Sequence, residues 1–241
     1  AVIYQILGKD STNIFKGLSE PEWREARKVI LTTVLGTDMA HHFDQIGKTN
    51  VFLEAYGDDA QKFCAGEKHQ IDALQEEKDR YFLMEICLHC ADISNPYKPF
   101  QICAKWAERV SEEFAKQGDR EKSEGLEVSP MMDRATIQLC NMQMGFVEFV
   151  VAPLIITFVK ILPPLHEIGQ TMADNYCSWA EKRKLEIKVD SSIANKDEEI
   201  GKLDSRMTAF KSKFEFLAAL KAKPTRKTDD DPGADKLAKL G

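Results

Sequence analysis

The sequence predicts an all-α protein, and two observations carry that reading. Apolar residues recur at spacings of three and four along most of the chain, and no stretch alternates with period two for long enough to build a sheet. Ser and Pro stand where helices would begin or stop. With 241 residues, 43% hydrophobic and 30% charged, the chain can bury a real core.

The elements follow in order. Ser19-Glu-Pro-Glu22 forms a capping box with Pro just inside a helix, and Trp23, Ala26, Ile30, Thr33 and Val34 continue it toward Thr37-Asp38-Met39. Residues 47–68 carry Gly47, Gly57 and Gly66 with little periodicity, which predicts a loop or broken helix. A helix from about Ile71 carries Leu74, Lys78, Tyr81, Phe82 and Ile86 and ends before Pro96. Further helices are predicted over 100–117, 133–162 and 165–188.

After Lys188 the character changes. Ile200, Leu203, Met207, Phe210, Phe214 and Leu217 form a heptad-like seam, widened by Phe216 and Leu220. It is too short to argue a coiled coil alone. One reading docks it on its own domain. The other anchors the protein, through 200–217 and the tail, to a second copy or to a scaffold in a larger assembly. The chain therefore divides into a main domain over 1–188, an amphipathic helical extension over 189–220 and a charged tail over 221–241, whose composition predicts disorder.

A formal net charge of -6 argues against nucleic acid or an anionic membrane as the main partner. The longest apolar run, Phe146 to Leu162, is interrupted by Glu148 and Lys160 and contains Pro153, so no membrane span is expected. No signal peptide is evident, although the first residue is Ala1. Six cysteines spread through helical sequence read as reduced thiols of a cytoplasmic protein. Cys87-Leu-His-Cys90 has zinc-knuckle or redox spacing, but no second pair accompanies it, and core packing is the simpler role.

The stretch richest in chemistry is His89-Cys-Ala-Asp-Ile-Ser-Asn-Pro96. Asp92 falls where Pro96 stops a helix, so its carboxylate can point into a cavity as a metal ligand or serve as a cap. In His41-His42-Phe-Asp44, neighbouring helical side chains diverge by about 100°. Both histidines therefore cannot easily face one ion, and a solvent-facing or polar-core role is expected.

His-x-Ala-Asp-Ile-Ser-Asn-Pro resembles the signature around the last metal-ligand aspartate of class I cyclic-nucleotide phosphodiesterases. Three further stretches match in order: Thr37-Asp38-Met39; Trp106 with Glu112-Glu-Phe114, Gln117-Gly-Asp119, Ser129-Pro-Met131 and Asp133; and Gln143-Met-Gly-Phe146. The match covers about residues 1–185. It implies a compact, multi-helix, HD-type domain that hydrolyses 3',5'-cyclic nucleotides, cAMP or cGMP, to 5'-nucleoside monophosphates. In the family, two divalent ions, zinc and usually magnesium, activate a hydroxide, and a histidine protonates the leaving O3'.

The resemblance also assigns residues. Asp92 becomes a metal ligand. Gln143, with donors and an acceptor on one amide, would bind the purine edge. Phe146 and Val110 would clamp the base, Phe114 and Met131 would line the pocket, Asn95 would add a polar contact, and Met39 would face the site near the metals. Each could instead be ordinary core. The family's His-Asn-x-x-His motif and later His-Asp pair have no counterpart here, so the chain is expected to be N-terminally truncated, with no catalytic acid of its own. The competing reading is a non-catalytic scaffold or interaction protein built on the same fold, or a sensor that binds without hydrolysing. Attachment to a cytoskeletal or ciliary assembly is left open.

Overall fold

The computed structural model describes residues 2–221. Among them there are helices and turns and no strand. The helices are α1 (Val2–Leu7), α2 (Glu20–Leu35), α3 (His42–Cys64), α4 (Glu77–Asp92), α5 (Phe100–Ser123) and α6 (Leu139–Gly145). A π-helical turn (Phe146–Val151) then leads into α7 (Ala152–Ile161), followed by α8 (His166–Val189), α9 (Lys196–Ser212) and α10 (Leu217–Lys221).

Helix α2 starts where its sequence directs. The Glu22 carboxylate accepts from both the Ser19 backbone N–H and the Ser19 hydroxyl at 2.7 Å, and Pro21 occupies the first turn. Helix α3 corrects the expectation for 47–68. It runs unbroken through Gly47 and Gly57 to Cys64. Glycine costs about 1 kcal/mol per helical position, and burial offsets it. Phe52 and Ala60 pack with Ile71, Ala73 and Ile161 in a second small core, and α3 lies along α7. Only Gly66, at φ 80°, forms the expected turn.

The single helix expected over 133–162 is also corrected. Helix begins at Leu139, and the run widens into the π-helical turn before Pro153. Proline has no N–H and its ring crowds the carbonyl four residues back, so the ladder must open there. The whole run, Leu139–Ile161, spans 23 residues and is long and apolar enough to cross a membrane by those criteria alone. This differs from the sequence reading, which took Glu148 and Lys160 as interruptions. More than half of its most apolar window is buried against other helices, the setting of a core helix.

Helix α8 is the hub. Met172, Tyr176 and Trp179 are essentially fully buried and meet α6, α7 and α9 in one large core. The seam beyond residue 188 joins that core. Leu203, Phe210, Phe214, Leu217 and Leu220 are all buried within it, and Phe210 stacks on Tyr176 at 3.8 Å with an interplanar angle of 14°. The seam is therefore not a free face for another chain. Nor is it one helix: α9 stops at Ser212, and a turn delivers Phe214 and Leu217 beside Gly169 of α8. The expectation for the tail falls on residues 222–241, outside the described residues.

Candidate functional site

A cavity of about 770 Å³ opens between the end of α4, one face of α5, the loop 124–138 and the α6–π-turn segment. Seven residues singled out in the sequence line it: Asp92, Asn95, Val110, Phe114, Met131, Gln143 and Phe146. Met39 does not. It lies on the short 3-10 turn Met39–His41, half exposed and away from the lining. Trp106, quoted in the sequence only as part of a matching stretch, and Phe149 and Val150, not singled out at all, also line the cavity. Helical spacing could have found them. Trp106 lies four residues before Val110, and Phe149 and Val150 lie three and four after Phe146.

Each wall has a cause. Asp92 ends α4, and the following turn Asn95–Tyr97 is pinned by α8: Asn175 Nδ2 donates to the carbonyls of Pro96 and Lys98, both at 2.8 Å. The Tyr97 hydroxyl donates to the Cys90 carbonyl. On α5, Trp106, Val110 and Phe114 fall four apart and make one stripe. Gln143 and Phe146 stand on the opposite wall.

The loop carrying Met131 is tied to α5 by the conspicuous motif residues. Glu121 accepts from the Ser129 N–H (2.7 Å) and hydroxyl (2.8 Å). Arg134 bridges Glu112 (2.6 Å) and Asp119 (2.9 Å), and Lys122 pairs with Asp133 at 2.7 Å. These contacts hold the Glu112 and Asp133 carboxyls below their usual range, chiefly through the hydrogen bonds from Arg134 and Lys122. Gly118 permits the approach: a Cβ there would stand 2.0 Å from the Met132 carbonyl oxygen. Met131 itself sits at φ 65°, the one non-glycine residue in the left-handed region among the described residues.

Two polar atoms in this largely apolar cavity lack partners. Gln143 Oε1 and Asn95 Oδ1 are both buried and accept no hydrogen bond. A buried acceptor left open costs roughly 1–3 kcal/mol. Two on one cavity make it the candidate site for a ligand that brings donors.

The histidines arrange themselves otherwise. His41 is exposed, whereas His42 is fully buried between α4 and the π-turn. Its Nε2 lies 3.0 Å from the Val150 carbonyl and its Nδ1 2.8 Å from His89 Nε2. Because a carbonyl only accepts, His42 Nε2 carries the proton and Nδ1 accepts from His89. His89 Nδ1 is then a buried, unprotonated nitrogen without a partner. Burial, and then the neighbouring His42, hold the His89 pKa below its ordinary value.

Asp92 was tested as a metal ligand by its surroundings. No group of three or more His, Cys, Asp or Glu side chains able to hold an ion exists among the described residues. One exposed carboxylate does not by itself fix a divalent ion. The Cys87–Cys90 pair does not supply the missing donors: Cys87 is exposed, and burial pushes the Cys90 thiol up to about 12.

Residues 1–172 match the family model for 3'5'-cyclic nucleotide phosphodiesterase. A probable 3',5'-cyclic-AMP phosphodiesterase, pde-4, of Caenorhabditis elegans is 30% identical over 200 residues, which is 83% of this chain and 28% of that protein. The mouse 3',5'-cyclic-AMP phosphodiesterase 4C is 32% identical over 184 residues, 76% of this chain and 26% of that protein. The phosphodiesterase domain of a rhodopsin fusion protein from the choanoflagellate Salpingoeca rosetta superposes with a TM-score of 0.63 at 27% identity, covering 74% of this chain and 53% of that one. The chain thus spans about a quarter of the length of these curated relatives and half of the solved domain. By the family match over most of its length, and by a fold shared with solved members, the chain belongs to the 3'5'-cyclic nucleotide phosphodiesterase family.

Proposed function

We propose that this chain forms the nucleotide-binding part of an enzyme that hydrolyses 3',5'-cyclic nucleotides to 5'-monophosphates, with cAMP as the first substrate to test. The observation that carries the reading is the cavity with two open acceptors, Gln143 Oε1 and Asn95 Oδ1, set among Phe146, Val110 and Phe114. A purine is flat, apolar on its faces and polar at its edge. Phe146 and Val110 suit the faces. The exocyclic amine of adenine, a donor, suits the open Gln143 oxygen, and guanine is served by the same amide turned over. The relatives described as cyclic-AMP phosphodiesterases support adenine as the first choice.

In the parent protein the same reading gives Asp92 to one of two divalent ions, zinc and magnesium. The remaining donors are not among the described residues. The chain's own residues bind and orient the base, and water is excluded from its faces by the stripe on α5.

Two measurements test this. Titration of the 241-residue chain with cAMP should show saturable binding that Gln143→Ala weakens; no binding at millimolar nucleotide refutes the pocket. In the longer parent protein, Asp92→Ala should abolish turnover and lower metal content. Full activity in that variant would remove the carboxylate from the chemistry.

A further inference from the structure

The π-helical turn carries Phe146, Phe149 and Val150, three residues of the cavity wall. Pro153 removes a regular ladder bond just beyond it, so side-chain contacts share in fixing where it lies. Glu148, in the middle of the turn, points away from the cavity into the junction with α8 and α9. There its Oε2 accepts from Arg206 Nε at 2.6 Å and from the Tyr176 hydroxyl at 3.0 Å. The Glu148 side chain is only 14% exposed, and that of Arg206 33%. The Arg206 guanidinium also stands 5.8 Å from the centre of the Phe149 ring. Phe149 is itself 63% exposed, so little else holds it. Arg206 is in turn fixed by its helix, whose Phe210 lies one turn on, stacked on Tyr176.

Arg206 therefore meets the turn twice, by an ion pair with Glu148 and by its charge over the Phe149 ring. It comes from α9, beyond residues 1–172 that match the family model. We propose that Arg206 is a positioning residue for the nucleotide pocket: α9 holds the π-turn, and with it Phe146 and Phe149, in the arrangement that clamps the base, without itself touching the nucleotide. This rests on the reading of the cavity as a nucleotide site. A lysine could not replace it fully, since a compact ammonium lacks the extended guanidinium that reaches Glu148 through Nε while its Cζ stands over Phe149.

The test uses the full chain, cAMP as the probe, and amide hydrogen exchange over 146–151. Arg206→Met keeps most of the aliphatic stem and removes the charge. Glu148→Gln keeps an acceptor for Tyr176 and removes the ion pair. Both should weaken cAMP binding roughly three- to tenfold, the usual range for coupling through a remote contact. Both should speed exchange at 146–151 while α8 stays protected, and Arg206→Lys should recover part of each effect. Unchanged affinity and unchanged exchange at 146–151 in both variants overturn the proposal. So does faster exchange throughout α8 and α9 in every variant, Arg206→Lys included, because that makes Arg206 a general stability residue. If the unsubstituted chain binds no cAMP, the reading of the cavity fails instead, and the exchange measurement alone decides whether Arg206 holds the turn.

Discussion

At the scale of single residues, the cavity separates binding from chemistry. Phe146 and Asp92 both line it, and under the proposed function Phe146 faces the base while Asp92 belongs with the phosphate. Phe146→Ala in the parent enzyme should mainly raise KM and leave kcat within a few-fold. A collapse of kcat at constant KM would place Phe146 at the reacting atoms. His89 gives a second residue-level expectation. Its folded pKa lies below the ordinary 6.5, because burial opposes the charged ring. The unfolded chain therefore takes up a proton, as pH falls below about 6.5, that the native chain refuses. The stability linked to His89 is complete above that pH and declines below it, by at most about 1.4 kcal/mol per pH unit, until the folded pKa is passed. Urea midpoints at pH 7.5 and 5.5 should differ, and His89→Gln should reduce the difference. An identical pH slope in that variant would assign the effect to another group.

At the scale of elements, two segments show why some structure is legible in sequence and some is not. Helix α2 carries its start in Ser19, Pro21 and Glu22, local chemistry that needs no neighbour. Helix α3 carries two glycines that argue against it, and only the contacts of Phe52 and Ala60 across to Ile71 and Ile161 decide the matter. Those partners are distant in sequence, so the outcome lies beyond local propensity. The π-turn is similar, since Pro153 announces a disturbance but not its form. The seam of α9 and α10 was visible as a face in need of cover, and its periodicity could not say whose surface would cover it. Burial of Phe210 on Tyr176 answers that and sets a magnitude. Phe210→Ala should cost about 3–5 kcal/mol in urea unfolding, whereas a substitution at exposed Lys202 should cost little. A near-neutral Phe210→Ala would mean that α9 is not docked as described. Gly118 belongs at this scale too, as the point where loop 124–138 meets α5. Gly118→Ala should displace the loop and destabilise by roughly 1–3 kcal/mol, the usual cost of overpacking, read as a lowered Tm. An unchanged Tm and cAMP affinity would show that the contact can relax freely.

At the scale of the whole molecule, most site residues were legible only together. Gln143, Phe146, Val110 and Asn95 are each unremarkable alone, and periodicity would file the apolar ones as core. Their order along the chain, with Asp92 and the stretch from Trp106 to Asp133, made the pattern specific. Met39, expected to face the site near the metals, is not in the cavity lining and lies on the short turn Met39–His41. The core is also unevenly distributed. Leu7 and Thr33 are the only residues of α1 and α2 that are buried, while α7 is buried over most of its residues and α8 along one full face from Gly169 to Ile187. Helix α2 meets α4 through an exposed ion pair, Lys28 with Glu77, and a part-buried hydrogen bond from Tyr81 to Glu25. Such a segment opens at a much lower free energy than the centre. Trypsin under native conditions should therefore cut first at Lys9, Lys16, Arg24 or Arg27, and leave a resistant body running from α3 through α9. Early cleavage within α8 instead would reverse this order. The chain would thus come apart from its N-terminal side inward, with the cavity, built wholly from α4 onward, outlasting α1 and α2.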